Sequence, residues 1–396
     1  MQLRWPSFGR ARERASGVTE AKASAAGPLI AMQALGRPVW TPRDYAALAR
    51  EGLMRNPVVF RAVRMIAEGA ASVPWVLYES GRELDAHPVL DLLRRPNARQ
   101  SGKPFLEAVY GYVLVAGNAY VEAVTVEDEV RELHALRPDR MRIEVGGDGW
   151  PSAYVYSVGG RSMRFRQDDG ARPILHLSLF HPLDDHYGLA PLEAAQTSLD
   201  IHNAAAAWHK ALLDNSARPS GALVYQGRDG GNLTDEQFAR LKKELEDGYQ
   251  GARNAGRPLL LEGGLDWRTM GFSPKEMDFI EAKNAAARDI ALAFGVPPML
   301  LGIPGDNTYA NYQEANRALW RQTILPLIGR MAEELVAWLA PGLELKPDLD
   351  AVMALTAERE PLWPRLARAD FISVNEKRAA LGYGPVEGGD VVSGHS

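Results

Sequence analysis

The sequence predicts an α+β fold. Three observations predict it. Short strand-like runs separated by turn residues fill positions 73–180, two long helical rods flank a small mixed module, and an amphipathic helix follows the second rod.

Residues 1–35 read as a flexible arm rich in Ala, Ser and Gly. Arg4, Arg10, Arg12 and Arg14 are not followed by an apolar core, so the arm is not expected to be a secretory signal. Val59, Ala62, Val63 and Ile66 recur at helical spacing and predict a helix over Asn56–Glu68. Val73–Glu79 reads as a strand with Pro74 near its start, and Phe105–Ala116 as a buried helix. Ala119–Val126 and Leu133–Arg137 read as strands. So do Met141–Val145, Ala153–Ser157 and Met163–Arg166, separated by Gly146-Gly147 and Gly159-Gly160. Pro173–Phe180 has the length of a buried strand.

The first rod spans Pro191–Leu213 without Gly or internal Pro. At roughly 1.5 Å per residue it reaches about 33 Å. Leu192, Ala195, Leu199, His202, Ala206, His209 and Leu213 follow 3-4-3-4 spacing, a narrow seam suited to packing against other helices. The second rod starts at Ser273, with Pro274 at the first helical position and Glu276 completing a capping box. It runs to Phe294 and stops at Gly295, with Phe279, Ala286, Ile290 and Ala293 as its apolar stripe. Between the rods, Ala222–Tyr225 and Pro258–Leu261 read as strands around a helix, Thr234–Tyr249, so the insert is βαβ-like. A turn rich in Pro and Gly, Gly295–Gly302, precedes the loop Ile303–Thr308. A long helix then runs to Leu339, and Pro326, which lacks a backbone donor, should kink it. The tail from Asp350 is expected to be mostly helical and to end in Gly and Ser.

Composition sets limits on function. There are 0 cysteines, which removes disulfides and thiolate metal sites. With 45 Lys+Arg against 50 Asp+Glu the formal charge is −5, far from the basic balance of a protein that grips nucleic acid. Any DNA partner is therefore expected to slide past rather than be held. Ala108–Val121 is uncharged but too short to span a bilayer, so no membrane partner is expected. Gly227–Gly231 lacks the Lys-Ser/Thr of a phosphate-binding loop and reads as a turn. No cofactor or metal is expected.

Four stretches, in this order, resemble the portal proteins of tailed phages of the lambdoid siphophage type. They are Gly117–Glu122 with Leu133–Arg140, Tyr187–Leu192, Phe294–Gly302 with Tyr309–Asn311, and Asn375–Arg378 with Gly388–Asp390. Each motif alone is weak, but their order around two rods and an insert is specific. The Ala- and Arg-rich composition and compact length look closest to the portals of bacterial gene transfer agents. The resemblance implies a portal fold with wing, two-helix stem, clip and small helical crown. Its segments would be a wing over 36–190 and 312–344, stem helices over 191–218 and 273–301, and a clip over 219–272. A tunnel loop would occupy 302–311, and a crown and tail 345–396.

The same resemblance implies a non-enzymatic, dodecameric ring at one capsid vertex of the virion, assembled in the host cytoplasm. Its partners would be duplex DNA, the large terminase, a head–tail adaptor and the major capsid protein. Gly305, Asp306, Asn307, Thr308, Tyr309 and Asn311 would line the channel. Leu192, Leu199, His202, Ala206, His209, Phe279, Ala286 and Ile290 would form the stem interface. Arg240, Lys243, Glu246 and Tyr249 would dock partners at the clip.

Plainer readings stand beside these. Asp306–Tyr309 also reads as an ordinary loop capped by Thr308, and His202 and His209 as satisfied interface histidines. Trp208 and Trp320 read as packing anchors rather than base-stacking platforms. His176, His181, Asp184, Asp185 and His186 carry ligand chemistry, and a metal-dependent hydrolase using the His181/His186 loop is one alternative function. No HExxH-like spacing supports it. A ring-forming scaffold that encloses no DNA is the other.

Overall fold

A computed structural model describes residues 40–167, 172–214, 221–225, 234–249, 265–269, 279–305, 309–355 and 361–392. The expected arm, the Ser273 capping box and the strand Pro258–Leu261 lie outside the described residues.

The chain divides into two compact units. The larger holds Arg37–His209 and Asp278–Ser396, and the smaller includes Lys210–Met277.

In the larger unit, α1 (Tyr45–Leu48) continues as a π-turn to Leu53 and is followed by α2 (Pro57–Ser72). Asn56 caps α2 and Pro57 occupies its first position, where a missing N–H costs nothing. The helix runs past the expected Glu68 to Ser72, because Gly69, Ala70 and Ala71 continue without a breaker until Pro74. β1 (Trp75–Glu79) and β2 (Arg82–Leu84) form a hairpin, and α3 (Pro88–Arg94) leads to α4 (Gly102–Ala116). Val59, Ala62, Val63, Ile66 and Ala70 of α2 share one buried core with Phe105, Leu106, Val109, Tyr110 and Val113 of α4.

β3 (Asn118–Val126) is the centre of an antiparallel sheet with β4 (Glu129–Leu136) and β8 (Ile174–Ser178). β5 (Met141–Val145), β6 (Pro151–Val158) and β7 (Arg161–Arg166) form an antiparallel meander. Tyr120, Leu136, Met141, Ile143, Tyr154 and Ile174 bury a second core between these strands.

The first rod is not continuous. A short helix, α5 (Pro191–Ala194), ends at Ala195, whose backbone at φ −93° and ψ 10° leaves the helix, and α6 (Gln196–Asp214) follows. The break coincides with side-chain ties to the segment before α1. Gln196 donates to the Thr41 carbonyl and accepts from Arg43 at 3.0 Å, and the Asp200 carboxylate accepts from the Thr41 N–H at 3.1 Å. The second rod appears as α8 (Phe279–Ala293).

In the smaller unit, β9 (Gly221–Tyr225) and α7 (Asp235–Tyr249) fall where a strand and a helix were expected, and β10 (Leu265–Thr269) is a strand at a position where none was expected. The strands pair antiparallel, Leu265 opposite Tyr225 and Thr269 opposite Gly221, so the module lacks the parallel pairing of a true βαβ crossover. Its cap is as the spacing predicts. The Thr234 N–H donates to Gln237 Oε1 at 3.0 Å, and the Gln237 N–H donates to Thr234 Oγ1 at 3.3 Å.

The long helix is α9 (Tyr309–Leu319), a π-turn over Trp320–Ile324, and α10 (Leu325–Leu339). Instead of a simple kink at Pro326, the preceding turn widens, and the Leu325 N–H reaches the Trp320 carbonyl. An i→i+5 turn accommodates a residue that cannot donate and whose ring would strike the carbonyl four residues back.

β11 (Glu344–Pro347) then pairs antiparallel with β1, Trp75 opposite Pro347. A boundary at 345 therefore falls inside a strand of the β11–β1–β2 sheet. The tail is less helical than expected, with short helices α11 (Leu362–Arg368) and α12 (Val374–Ala380). It lies against the hairpin, where Tyr78 Oη donates to the Gly382 carbonyl at 3.2 Å.

Candidate functional site

Two of the four motif stretches meet at one point. Gly117 ends α4 in the left-handed region at φ 68°. A Cβ there would strike the Gly188 carbonyl, and a Cβ on Gly188 would lie 2.5 Å from Leu179 N and 2.8 Å from Leu179 O. Asn118 completes the junction: its Nδ2 donates to the Ala116 carbonyl at 2.8 Å and to the Gly188 carbonyl at 3.2 Å. Its Oδ1 accepts from the Gly188 N–H at 2.8 Å and faces His176 Nε2 at 2.9 Å. The two backbone acceptors and the Gly188 donor fix the Asn118 amide, so His176 carries its proton on Nε2. The ring stacks on Tyr120 at 4.4 Å between centroids. Burial, with a smaller effect from His186, lowers the His176 pKa to about 4. The junction sets the chain's path from the β3 sheet into α5.

The proposed metal loop is spent on its own geometry. Asp184 Oδ1 accepts the backbone N–H groups of Tyr187 and His186 at 2.9 and 2.8 Å, and these bonds hold its pKa below the ordinary value. His181 Nδ1 accepts from the Leu183 N–H at 3.0 Å. Among the described residues no group of three or more His, Asp or Glu side chains is placed to hold a metal ion.

The rods separate into two kinds of surface. Leu192, Leu199 and Ile290 are 0% exposed, and His202 and Ala286 are also buried within the larger unit. Side chains so covered have little surface left to present elsewhere, so these five pack the rods into the core of the larger unit. Ser198 Oγ donates to Asp289 Oδ2 at 2.9 Å and joins α6 to α8 directly. The buried seam keeps the expected register through Leu192, Ala195, Leu199 and His202 and then passes through Ala205 rather than Ala206. Ala204, Ala206 and Ala207 are exposed, and His209 is half-buried. Phe279 opens α8, and its side chain lies outside the described residues.

The turn after α8 is tightly built. Gly295, at φ 65°, closes the helix, and the Val296 N–H reaches the Ala291 carbonyl at 2.9 Å. Thr323 Oγ1 donates to the Gly295 carbonyl at 2.7 Å. Ile303 is buried against Ala287 and Ala291, and Arg288 donates to the Pro304 carbonyl at 2.6 Å. Gly305 is exposed at the end of this brace, Tyr309 opens α9, and Asn311 is exposed on it. Asp306, Asn307 and Thr308 lie outside the described residues. Arg240 and Lys243 are exposed on α7. Glu246 and Tyr249 belong to the same helix, with side chains outside the described residues.

The C-terminal motif is a fastening. Asn375 Oδ1 accepts from the Val386 N–H at 2.7 Å, and its Nδ2 donates to the Val386 carbonyl at 3.1 Å and to Asp390 Oδ1 at 2.7 Å. Arg378 Nε donates to the Gly384 carbonyl at 2.7 Å. Asn375→Ala is expected to cost roughly 2 kcal/mol, from three lost bonds and a partly buried N–H left unpaired. Limited proteolysis should then cut faster within 374–392, and an unchanged cutting rate would remove the fastening role. Sequence reasoning quoted Asn118, Gly188 and Asn375 as motif letters but could not see their partners. Thr41 and Asn203 were missed altogether, since single polar residues carry no periodic signal.

Comparison with known proteins agrees with this architecture. A family model described as "Phage portal protein" matches residues 57–382. The portal protein of Enterobacteria phage HK97 is 24% identical over 390 residues, covering 94% of this chain and 88% of that protein. A chain in the neck of an empty GTA particle, computed with C6 symmetry, is 58% identical and covers 89% of this chain and 96% of its own, with a TM-score of 0.69. A chain in the neck of a native GTA particle, computed with C12 symmetry, is 56% identical over 89% of this chain and 97% of its own, with a TM-score of 0.67. With the family match running from the first position of α2 past the end of α12, the chain belongs to the phage portal protein family.

Proposed function

We propose that the chain forms a twelve-membered ring at one vertex of a gene-transfer-agent or phage capsid, and that duplex DNA passes through it. The carrying observation is the likeness, over nearly the whole chain, to a subunit of a C12-symmetric neck. The local structure supports a ring built side by side. The rods are fixed to their own core by Leu192, Leu199, His202, Ala286 and Ile290, while Ala204, Ala206 and Ala207 leave a small-residue surface uncovered.

In this reading α6 and α8 form the stem, and the smaller unit is the clip on which the large terminase and then a head–tail adaptor dock through Arg240, Lys243, Glu246 and Tyr249. Residues 36–190 and 312–344 form the wing that meets the major capsid protein, and the tail supplies a crown. The residues Gly305–Asn311 line the bore in this reading, and the packing of Ile303 and the Arg288 bond to the Pro304 carbonyl, just before them, support it. Its role is geometric, and packaging energy comes from the partner ATPase. Negative-stain micrographs of the purified full-length protein test the proposal. Rings with an open bore wide enough for a duplex are expected, and monomers or closed discs would overturn it.

Asn307→Lys is expected to slow DNA passage and leave ring assembly intact, since each added phosphate contact deepens binding and its salt dependence. Nuclease-protected DNA per particle measures this. Normal packaging at low salt would take the loop out of the channel.

A further inference from the structure

Asn56 lies where α2, α6 and the π-turn after α1 converge, and it is 1% exposed. Its Oδ1 accepts the Val58 and Val59 N–H groups at 3.0 and 3.2 Å. Its Nδ2 faces His202 Nδ1 at 3.0 Å and Asn203 Oδ1 at 2.9 Å. Asn203 Nδ2 in turn donates to the Glu51 carbonyl at 2.9 Å. Backbone groups fix the polarity at both ends of this relay. Two amide N–H groups make Asn56 Oδ1 the acceptor, and a carbonyl makes Asn203 Nδ2 the donor. Both Nδ2 protons of Asn56 are therefore directed outward, one at Asn203 Oδ1 and one at His202 Nδ1. Nδ1 has to accept, and the ring proton sits on Nε2.

We propose that Asn56, His202 and Asn203 form an acid-sensitive joint, which holds α6 on the head of α2 while His202 is neutral and releases it when Nδ1 takes a proton. A protonated Nδ1 would set donor against donor. Asn56 cannot turn its oxygen to the ring without uncapping α2. Carboxylates on the adjoining described elements are engaged elsewhere. Glu51 is paired with Arg55 at 2.6 Å, Asp200 accepts from Thr41, and Asp289 accepts from Ser198. The charged group that acts on the ring is Lys283 of α8, which repels an imidazolium and, after burial, is a further cause of the lowered His202 pKa. The joint rests on these contacts alone and holds whether or not DNA passes through a ring.

Two variants change the acid response in different ways. His202→Gln offers Asn56 an Oε1 acceptor that does not titrate. Asn56→Asp still caps α2 but presents a carboxylate to His202, so protonation now tightens the contact. Hydrogen–deuterium exchange of the full chain near pH 7.5 and near pH 5, corrected for intrinsic rates, reads the outcome. In the natural sequence, amides of 58–60 and 199–206 should lose about tenfold protection at the lower pH relative to α4. His202→Gln should abolish that change, and Asn56→Asp should reverse it. An identical acid response in the natural chain and in His202→Gln would overturn the joint. So would an unreversed response in Asn56→Asp. Should Asn56→Asp fail to fold, the His202→Gln comparison decides alone.

Discussion

Gly188→Ala is expected to cost roughly 3 kcal/mol or more and to leave little folded protein. The added methyl group would meet the Gly117 carbonyl and both backbone polar atoms of Leu179, the nearer at 2.5 Å. Main chain cannot rotate away as a flexible side chain can. Moving it would also break the Leu179 N–H bond to the Gly117 carbonyl at 2.8 Å and the grip of Asn118 on both polar groups of Gly188. Thermal unfolding of the purified variant, or its soluble yield, measures this. A melting temperature equal to that of the natural sequence would show that the two strands of chain do not approach so closely. Gly302→Ala is the control, since its Cβ would meet nothing within 4 Å and only its φ of 73° opposes the change. It should cost about 1 kcal/mol.

Acid should destabilise the larger unit through His176. The ring is neutral when folded because burial lowers its pKa from 6.5 to about 4. The unfolded chain therefore binds the proton first as pH falls. The stability contributed by this site is complete above about pH 6.5, declines between there and about pH 4, and is level below. The window corresponds to about 3 kcal/mol. The cause is specific: Nε2 donates to Asn118, and the ring is stacked on Tyr120 and packed edge-on to Tyr154 at 5.7 Å, so an imidazolium there would be poorly solvated. Resonances of the His176 ring should show no titration between pH 7 and pH 5. A midpoint near 6.5 would sink the prediction. His176→Gln, which can still donate to Asn118, should reduce the loss of urea resistance between pH 7 and pH 4.

Periodicity made much of the fold legible. The apolar spacing of Val59, Ala62, Val63 and Ile66 marked a helix whose buried face is those residues, and the Thr234–Gln237 spacing marked a cap that forms. Breakers were legible as events but not as geometry. Pro326 announced a disturbance, yet the choice of a π-turn at Trp320–Ile324 depends on how α10 packs Ile328, Met331 and Leu335 into the core. The seam of the first rod misled for a related reason. Seven residues at 3-4 spacing look like one stripe, but beyond His202 the buried face passes to Ala205 in place of Ala206, as the elements packed against it dictate.

Portal motifs were readable as letters, and their order with two rods and an insert was enough to identify the family. What each letter does was decided in three dimensions. Gly117 and Gly188 are 71 positions apart in the chain and have to be glycine because their backbones touch. Asn375 and Gly389 matter because a side-chain amide closes the tail upon itself. Local pattern fixes which residues can be helix, strand or turn, since those preferences involve neighbours within a few positions. Which seam faces its own core, which His is held neutral and which surface stays uncovered depend on contacts between distant segments, and only the folded chain brings those together.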